Sequence, residues 1–279
     1  MATTTPAQRR GFTDEQFAEF ARLVKDSDSV ELKVTVPESA QRFAINSLGM
    51  DPLDAQIRQV FFFDTPDLAL DSAGVVVRTR RIQNKGDDSV VKLRPVVPAE
   101  LPGAVRKSAG FGVEVDATPS GFVCSGSMKQ PLAPGSVKDM LAGGRPLAKL
   151  FSKEQKALFE QHAPEGIALK DLSMLGPIFV LKLKFTPEGL TRKIVAEMWL
   201  YPDDRWLLEL STKCAPAEAF QVAGEMRVFL TERGLHLGGE QQTKTRTALS
   251  FFSKRLKAEA AKKAAPAAPA QGGAKPTAS

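Results

Sequence analysis

The chain has little of what many functional sites are built from. Its 279 residues include two cysteines, two histidines, one tyrosine and two tryptophans. Cys124 and Cys214 lie far apart, no Cys-x-x-Cys occurs, and His162 and His236 are the only imidazoles. That inventory argues against a structural zinc site and against a disulfide framework, so a reducing compartment is expected. No Gly-x-x-x-x-Gly-Lys-Ser/Thr loop is present, which excludes a P-loop NTPase, and no Gly-x-Ser-x-Gly elbow is present either. Tyr201, Trp199 and Trp206 are too few to interleave with basic residues, so no specific nucleic-acid partner is expected. Met1–Arg10 is polar, without the apolar core of a signal peptide, and no run is long enough to span a bilayer. The expectation is a cytoplasmic protein with no membrane partner.

What is present is ordinary in bulk and unusual in arrangement. Hydrophobic residues make up 43% and charged residues 25%, as in a soluble globular protein that can bury a core. The net charge of +6 favours an anionic partner. Several stretches alternate aliphatic and charged residues of both signs: Val30-Glu31-Leu32-Lys33-Val34, Val77-Arg78-Thr79-Arg80, Val91-Lys92-Leu93-Arg94, Leu181-Lys182-Leu183-Lys184, Ala196-Glu197-Met198 and Leu208-Glu209-Leu210-Ser211-Thr212-Lys213. Side chains two apart on a strand share a face, so each stretch projects charge from one side and aliphatics from the other. Charged faces turned toward one another would line a cavity suited to a polyphosphate with its metal ion. The plain alternative is a set of half-buried strands whose charged faces meet water.

Along the chain, residues 1–10 read as disordered. Phe12-Thr13-Asp14-Glu15-Gln16-Phe17 opens a helix, with Thr13 and Gln16 as a capping box and Phe12 and Phe17 as a hydrophobic staple. Strands are expected near 29–36, 56–64, 75–83, 88–96, 111–117, 121–128, 177–186, 192–202 and 205–213. Helices are expected over about 38–48, with Ala40, Phe43, Ala44 and Leu48 on one face and a stop at Gly49, and over about 217–233. A helical insert fills about 136–163, with Pro146 at a first helical position. Residues 11–257 form one domain. The Ala/Pro/Lys-rich 258–279 tail has no large apolar residue to repay its ordering and should be disordered.

One local motif goes further. Phe63-Asp64-Thr65-Pro66-Asp67-Leu68-Ala69-Leu70 ends a strand and starts a short helix that Thr65 can cap and Gly74 can close. The next strand then delivers Arg78 and Arg80 on one face. With Glu31-Leu32-Lys33 before it and Lys92 after it, this order closely resembles the CYTH family, the triphosphate tunnel metalloenzymes. The resemblance implies an α+β fold: an antiparallel eight-stranded β-barrel whose interior is a charged tunnel, with helices packed outside. It implies a divalent-metal-dependent hydrolase of a triphosphate compound (tripolyphosphate, a nucleoside triphosphate or thiamine triphosphate), with Mg²⁺ or Mn²⁺ as cofactor. An adenylate cyclase of the same fold and a binding module without turnover are the alternatives.

By that resemblance, Lys33, Arg78, Arg80, Lys92, Arg94, Lys182 and Lys184 grip phosphate oxygens, with Lys213 in reserve, and Glu31, Glu197 and Glu209 hold metal. Glu209 and Lys33 are the catalytic pair, Glu209 as acceptor of a proton from the attacking water. The sequence departs from the family's Glu-x-Glu-x-Lys signature at Ser29, where a neutral hydroxyl replaces a carboxylate. Glu114 and Asp116 are the acids that could supply the missing charge, or they could simply face solvent.

Overall fold

In a computed structural model of the chain, residues 13–235 and 244–264 are described. The helices are α1 (Asp14–Lys25), α2 (Gln41–Ser47), α3 (Ala69–Ser72), α4 (Gly103–Arg106), α5 (Ser136–Leu141), α6 (Lys153–His162), α7 (Ala219–Glu232) and α8 (Lys244–Ala264). The strands are β1 (Ser29–Val36), β2 (Gln56–Asp64), β3 (Val75–Ile82), β4 (Asp88–Leu93), β5 (Phe111–Thr118), β6 (Gly121–Pro131), β7 (Ser173–Phe185), β8 (Ile194–Leu200) and β9 (Trp206–Cys214). The strands close into a barrel in the order β1-β5-β6-β4-β3-β2-β7-β8-β9.

This corrects the expected eight-stranded antiparallel barrel. A ring of nine strands cannot alternate direction all the way round, and the parallel seam falls between β1 and β5, Ser29 opposite Glu114 and Glu31 opposite Asp116. Every other pairing is antiparallel. The seam sets acidic residues of two strands side by side on the inner face.

Over two regions of the barrel the aliphatic half of the alternation faces outward under helices, as the amphipathic patterns require, whereas Ile57 of β2, Phe179 of β7 and Leu200 of β8 stay exposed on the outer face. Around β1, β5, β8 and β9, the outward Val34, Val36, Val113, Leu208 and Leu210 pack with Phe20 of α1, Ala44 of α2 and Val222, Met226 and Phe229 of α7. Around β2, β3, β4 and β6, Phe61, Phe63, Val77, Val91 and Met128 pack with Leu70, Val137, Leu158 and Phe159. The helical insert is therefore the cover of half the barrel. Gln155 ties it down: its side-chain amide donates to the carbonyls of Ser89 (3.1 Å) and Met128 (3.0 Å) and accepts from the Ser89 hydroxyl (3.0 Å).

The capping box at Thr13 and Gln16 is present, whereas Phe12 of the expected staple lies outside the described residues. Pro146 precedes a single 3₁₀ turn at Leu147–Leu150 and does not start a longer helix. Phe43 is 52% exposed, against the stripe expected for it. Its ring lies against the backbone of Gly234, which ends α7.

A helix also runs where none was expected. α8 extends past residue 257 to Ala264, because Ala and Lys are strong helix formers once an upstream segment anchors them. Ala248, Leu249 and Phe252 supply that anchor by packing against the inward Val60, Phe62, Ile178, Val180, Trp199 and Leu207. The Ser253 hydroxyl donates to the Pro66 carbonyl at 2.7 Å and the Tyr201 hydroxyl to the Lys244 carbonyl at 3.1 Å. Residues 265–279 lie outside the described residues. No helix among the described residues is long and apolar enough to cross a membrane.

Candidate functional site

The same alternation that points aliphatics outward points charge inward. On β2, Phe61 and Phe63 belong to the outer core while Val60 and Phe62 belong to the inner one. The inner faces are apolar where α8 enters and charged elsewhere. Asp64 of the Phe-Asp-Thr-Pro motif faces neither region. It is buried and accepts from the backbone N–H groups of Thr65 (2.7 Å), Leu70 (2.9 Å) and Asp71 (3.0 Å), so it builds the start of α3. Gly74 then turns the chain at φ 74°, where a Cβ would come within 2.5 Å of the Arg94 carbonyl oxygen. The motif thus fixes where β3 begins and where Arg78, Arg80 and Arg94 arrive.

At the β1–β5 seam, one ligand oxygen each from Glu31, Glu114 and Asp116 lies within 4.8 Å of the others. Lys33 Nζ sits 2.9 Å from Glu31 and 2.7 Å from Asp116. Lys92 (3.5 Å) and Arg94 (3.7 Å) reach the second oxygen of Asp116. The Ser211 hydroxyl donates to Glu31 at 3.0 Å, the Ser29 hydroxyl to Glu114 at 3.4 Å, and Lys213 lies 2.6 Å from Glu114. Burial opposes charge on Asp116, yet Lys92, Lys33 and Arg94 outweigh it and hold the carboxyl well below the usual range. Burial likewise opposes charge on Lys33, and Asp116, Glu31 and Glu209 more than restore it. Lys92 has less compensation, and burial against the pull of Asp116 leaves it near 8.

Glu197 and Glu209 lie opposite each other on β8 and β9, and neither joins Glu31 in its cluster of acidic oxygens. Lys244, the first described residue of α8, enters the barrel and pairs with both, 2.6 Å from Glu209. Lys182 pairs with Glu197 at 2.7 Å, and the Trp199 indole N–H donates to the same carboxylate at 3.2 Å. Burial works against the Glu197 charge, but Lys244 and Lys182 hold its carboxyl well below the ordinary value.

On β3, the expected pair of arginines divides. Arg80 is directly opposite Asp88 and bonded to it, Nε to Oδ1 at 2.8 Å. Arg78 has no carboxylate partner among the described residues, and its buried Nε has no hydrogen-bond partner. Burial and the neighbouring Arg80 push Arg78 down to about 10. Lys184 is exposed at the end of β7, outside the cluster.

Sequence reasoning weighed Glu114 and Asp116 only as substitutes for a carboxylate at position 29. Their alternation in Val113-Glu114-Val115-Asp116 was visible, but the parallel seam that sets them beside Glu31 was not. It missed Lys244, because nothing in Lys244-Thr245-Arg246-Thr247 signals a cation delivered into a barrel.

No family model and no curated relative matches the sequence. Solved structures do match. HpAC1 from Hippeastrum, assigned as an adenylyl cyclase and described as having a dominant triphosphatase activity, superposes with a TM-score of 0.58 at 18% identity, over 79% of this chain and 95% of that one. A protein from Bacillus halodurans assigned as an adenylate cyclase gives a TM-score of 0.55 at 14% identity, over 79% and 97%. At these identities the likeness is one of fold. The chain has the closed-barrel fold of the CYTH-type proteins.

Proposed function

We propose that the protein is a divalent-metal-dependent hydrolase of a triphosphate compound. The observation that carries this reading is the charge arrangement across one closed barrel: a buried guanidinium at Arg78 with no carboxylate partner among the described residues and its Nε unbonded, facing an interior that also holds the acidic cluster Glu31, Glu114 and Asp116. Buried charge is retained at such cost where a ligand of opposite sign completes it. The fold shared with HpAC1 agrees with it.

The three carboxylates are hard oxygen donors and fit Mg²⁺ or Mn²⁺, which when bound would neutralise phosphate charge and polarise the phosphorus. They replace the expected set of Glu31, Glu197 and Glu209. The remaining roles fall to the chain's own groups. Arg78, Arg80 and Arg94 grip phosphate oxygens with their guanidinium forks, and Lys92 and Lys182 act as point charges. Lys33 is held protonated and serves as a cation. Glu209 takes the proton of the water that attacks phosphorus as the anhydride P–O bond breaks, with Lys244 beside it to balance charge.

The test is a product assay with Mg²⁺ or Mn²⁺ and tripolyphosphate, ATP or thiamine triphosphate. Orthophosphate release is expected. Pyrophosphate with a cyclic nucleotide would make it a cyclase, and calorimetric binding without any product would make it a binding module.

A further inference from the structure

One cation in the barrel belongs to none of the patterns that pointed to the site. Arg58 lies on the inward face of β2, in alternation with Val60 and Phe62 of the inner core. In the strand order, β2 stands four pairings from β1 in one direction and four from β5 in the other, on the wall opposite the acidic seam. Its register makes Lys182 of β7 and Arg80 of β3 its diagonal neighbours: Arg58 is opposite Val180 and Ile82, Gln56 opposite Lys182, and Val60 opposite Arg80. Three cations therefore run side by side across β7, β2 and β3, with Arg78 one inward position further along β3.

Two of these cations are neutralised within the protein, Lys182 by Glu197 and Arg80 by Asp88. Arg58 and Arg78 have no carboxylate partner among the described residues. Arg58 is nonetheless held in place. Gln56 Oε1 accepts from its Nε at 3.1 Å and from Nη2 at 2.8 Å, which fixes the guanidinium plane through one edge and leaves its remaining N–H groups without a partner among the described residues. A neutral amide that orients a cation without neutralising it suits a group prepared for an external anion. Burial and the nearby Arg80 disfavour the Arg58 charge and outweigh the more distant pull of Glu197 and Asp88.

We infer that Arg58 is a further substrate-binding residue, which together with Arg78 grips the terminal phosphoryl group of the bound chain on the wall opposite Glu31, Glu114 and Asp116. This rests on the triphosphate reading of the site. The chemistry recognised is a dianionic phosphate end, which a linear inorganic polyphosphate and a nucleoside triphosphate both carry.

The experiment is isothermal calorimetry on the full-length chain, metal-free and at fixed salt, with tripolyphosphate and ATP as separate probes and Arg58→Gln, Arg58→Lys and Arg78→Met as variants. Thermal unfolding of each variant is followed in parallel. Arg58→Gln is expected to weaken tripolyphosphate at least tenfold without lowering the unfolding temperature, and Arg58→Lys to recover part of the loss. Equal losses on both probes assign the phosphate end they share; a loss on tripolyphosphate alone assigns the inorganic chain. Full affinity in Arg58→Gln while Arg78→Met loses it would overturn the role of Arg58 and leave the site intact. A wild-type chain that binds neither probe, metal-free or with Mn²⁺ added, would overturn both.

Discussion

On the β8–β9–β1–β5 wall, every inward carboxylate has an ammonium group within ion-pair distance: Glu31 and Asp116 share Lys33, Glu114 has Lys213, Glu197 has Lys182 and Lys244, and Glu209 has Lys244. On the β2–β3 wall, Arg80 is matched by Asp88, while Arg58 and Arg78 form no ion pair with a carboxylate among the described residues. Both walls carry buried charge, and burial penalises each charge until something compensates it. The first wall is compensated from within, so its ion pairs belong to the stability of the folded chain. The second wall is left for a ligand, so its arginines should affect binding more than folding. That separation can be tested one side chain at a time.

The largest effect is expected on the compensated wall. Lys244→Met leaves Glu209 without its ion-pair partner and Glu197 with Lys182 alone. Removing one member of a buried pair costs about 3–5 kcal/mol, which denaturant unfolding would read directly. The same pairing sets an acid response. Glu197 has a folded-state value well below 4.5, so its contribution is complete above the unfolded value and is lost as pH falls below 4.5 and through the lower folded one. Acid unfolding curves of Lys244→Met should show a shallower loss over that range. A variant as stable as the wild type at neutral pH would mean that α8 does not seat Lys244 in the barrel in solution.

The arginine wall should behave in the opposite sense. Arg78→Met is expected to weaken triphosphate binding by about 1.5–3 kcal/mol, the scale of a charge-assisted hydrogen bond. Its thermal stability should hold or rise, because an unpaired buried charge has gone. Arg80→Met makes the sharper contrast on the same strand. It should weaken binding too, but it also strands Asp88 and should cost about 1–2 kcal/mol of folding stability. Calorimetry and thermal melts of the two variants side by side decide the matter. Equal stability losses would erase the distinction between the walls.

How much of this was legible in the chain follows from the range of each signal. Alternation with period two is local, so β1 and β2 were read to their actual ends, and the inward placement of Arg78, Lys92 and Lys182 followed from it. Closure is not local. The parallel β1–β5 seam depends on which strands meet, and only that meeting turns Glu114 and Asp116 into partners of Glu31. Lys244 and Arg58 were illegible for the same reason. Each looks like an ordinary surface cation in its own segment and acquires meaning from strands far away in sequence. Residues 258–264 were misread because a lack of large apolar residues says nothing about a helix nucleated upstream by Leu249 and Phe252.

The smallest expected effect lies at the seam itself. Ser29 is buried, and its hydroxyl reaches Glu114 at 3.4 Å, so a carboxylate at this position would join three acids already within 4.8 Å of one another. Without metal, Ser29→Glu adds like charge to a site where Lys33 is already shared, and the unfolding temperature should fall. With Mn²⁺ the added anionic oxygen should tighten binding about tenfold, or ~1.4 kcal/mol, since a carboxylate stabilises a divalent cation far more than a hydroxyl does. Metal should therefore restore more stability to the variant than to the wild type. Brisk turnover by the wild type, slowed by Ser29→Glu, would show that Glu114 already completes the seam and that a further acid only crowds it. Unchanged Mn²⁺ affinity would place the metal away from β1 altogether and return Glu197 and Glu209 to contention as its ligands.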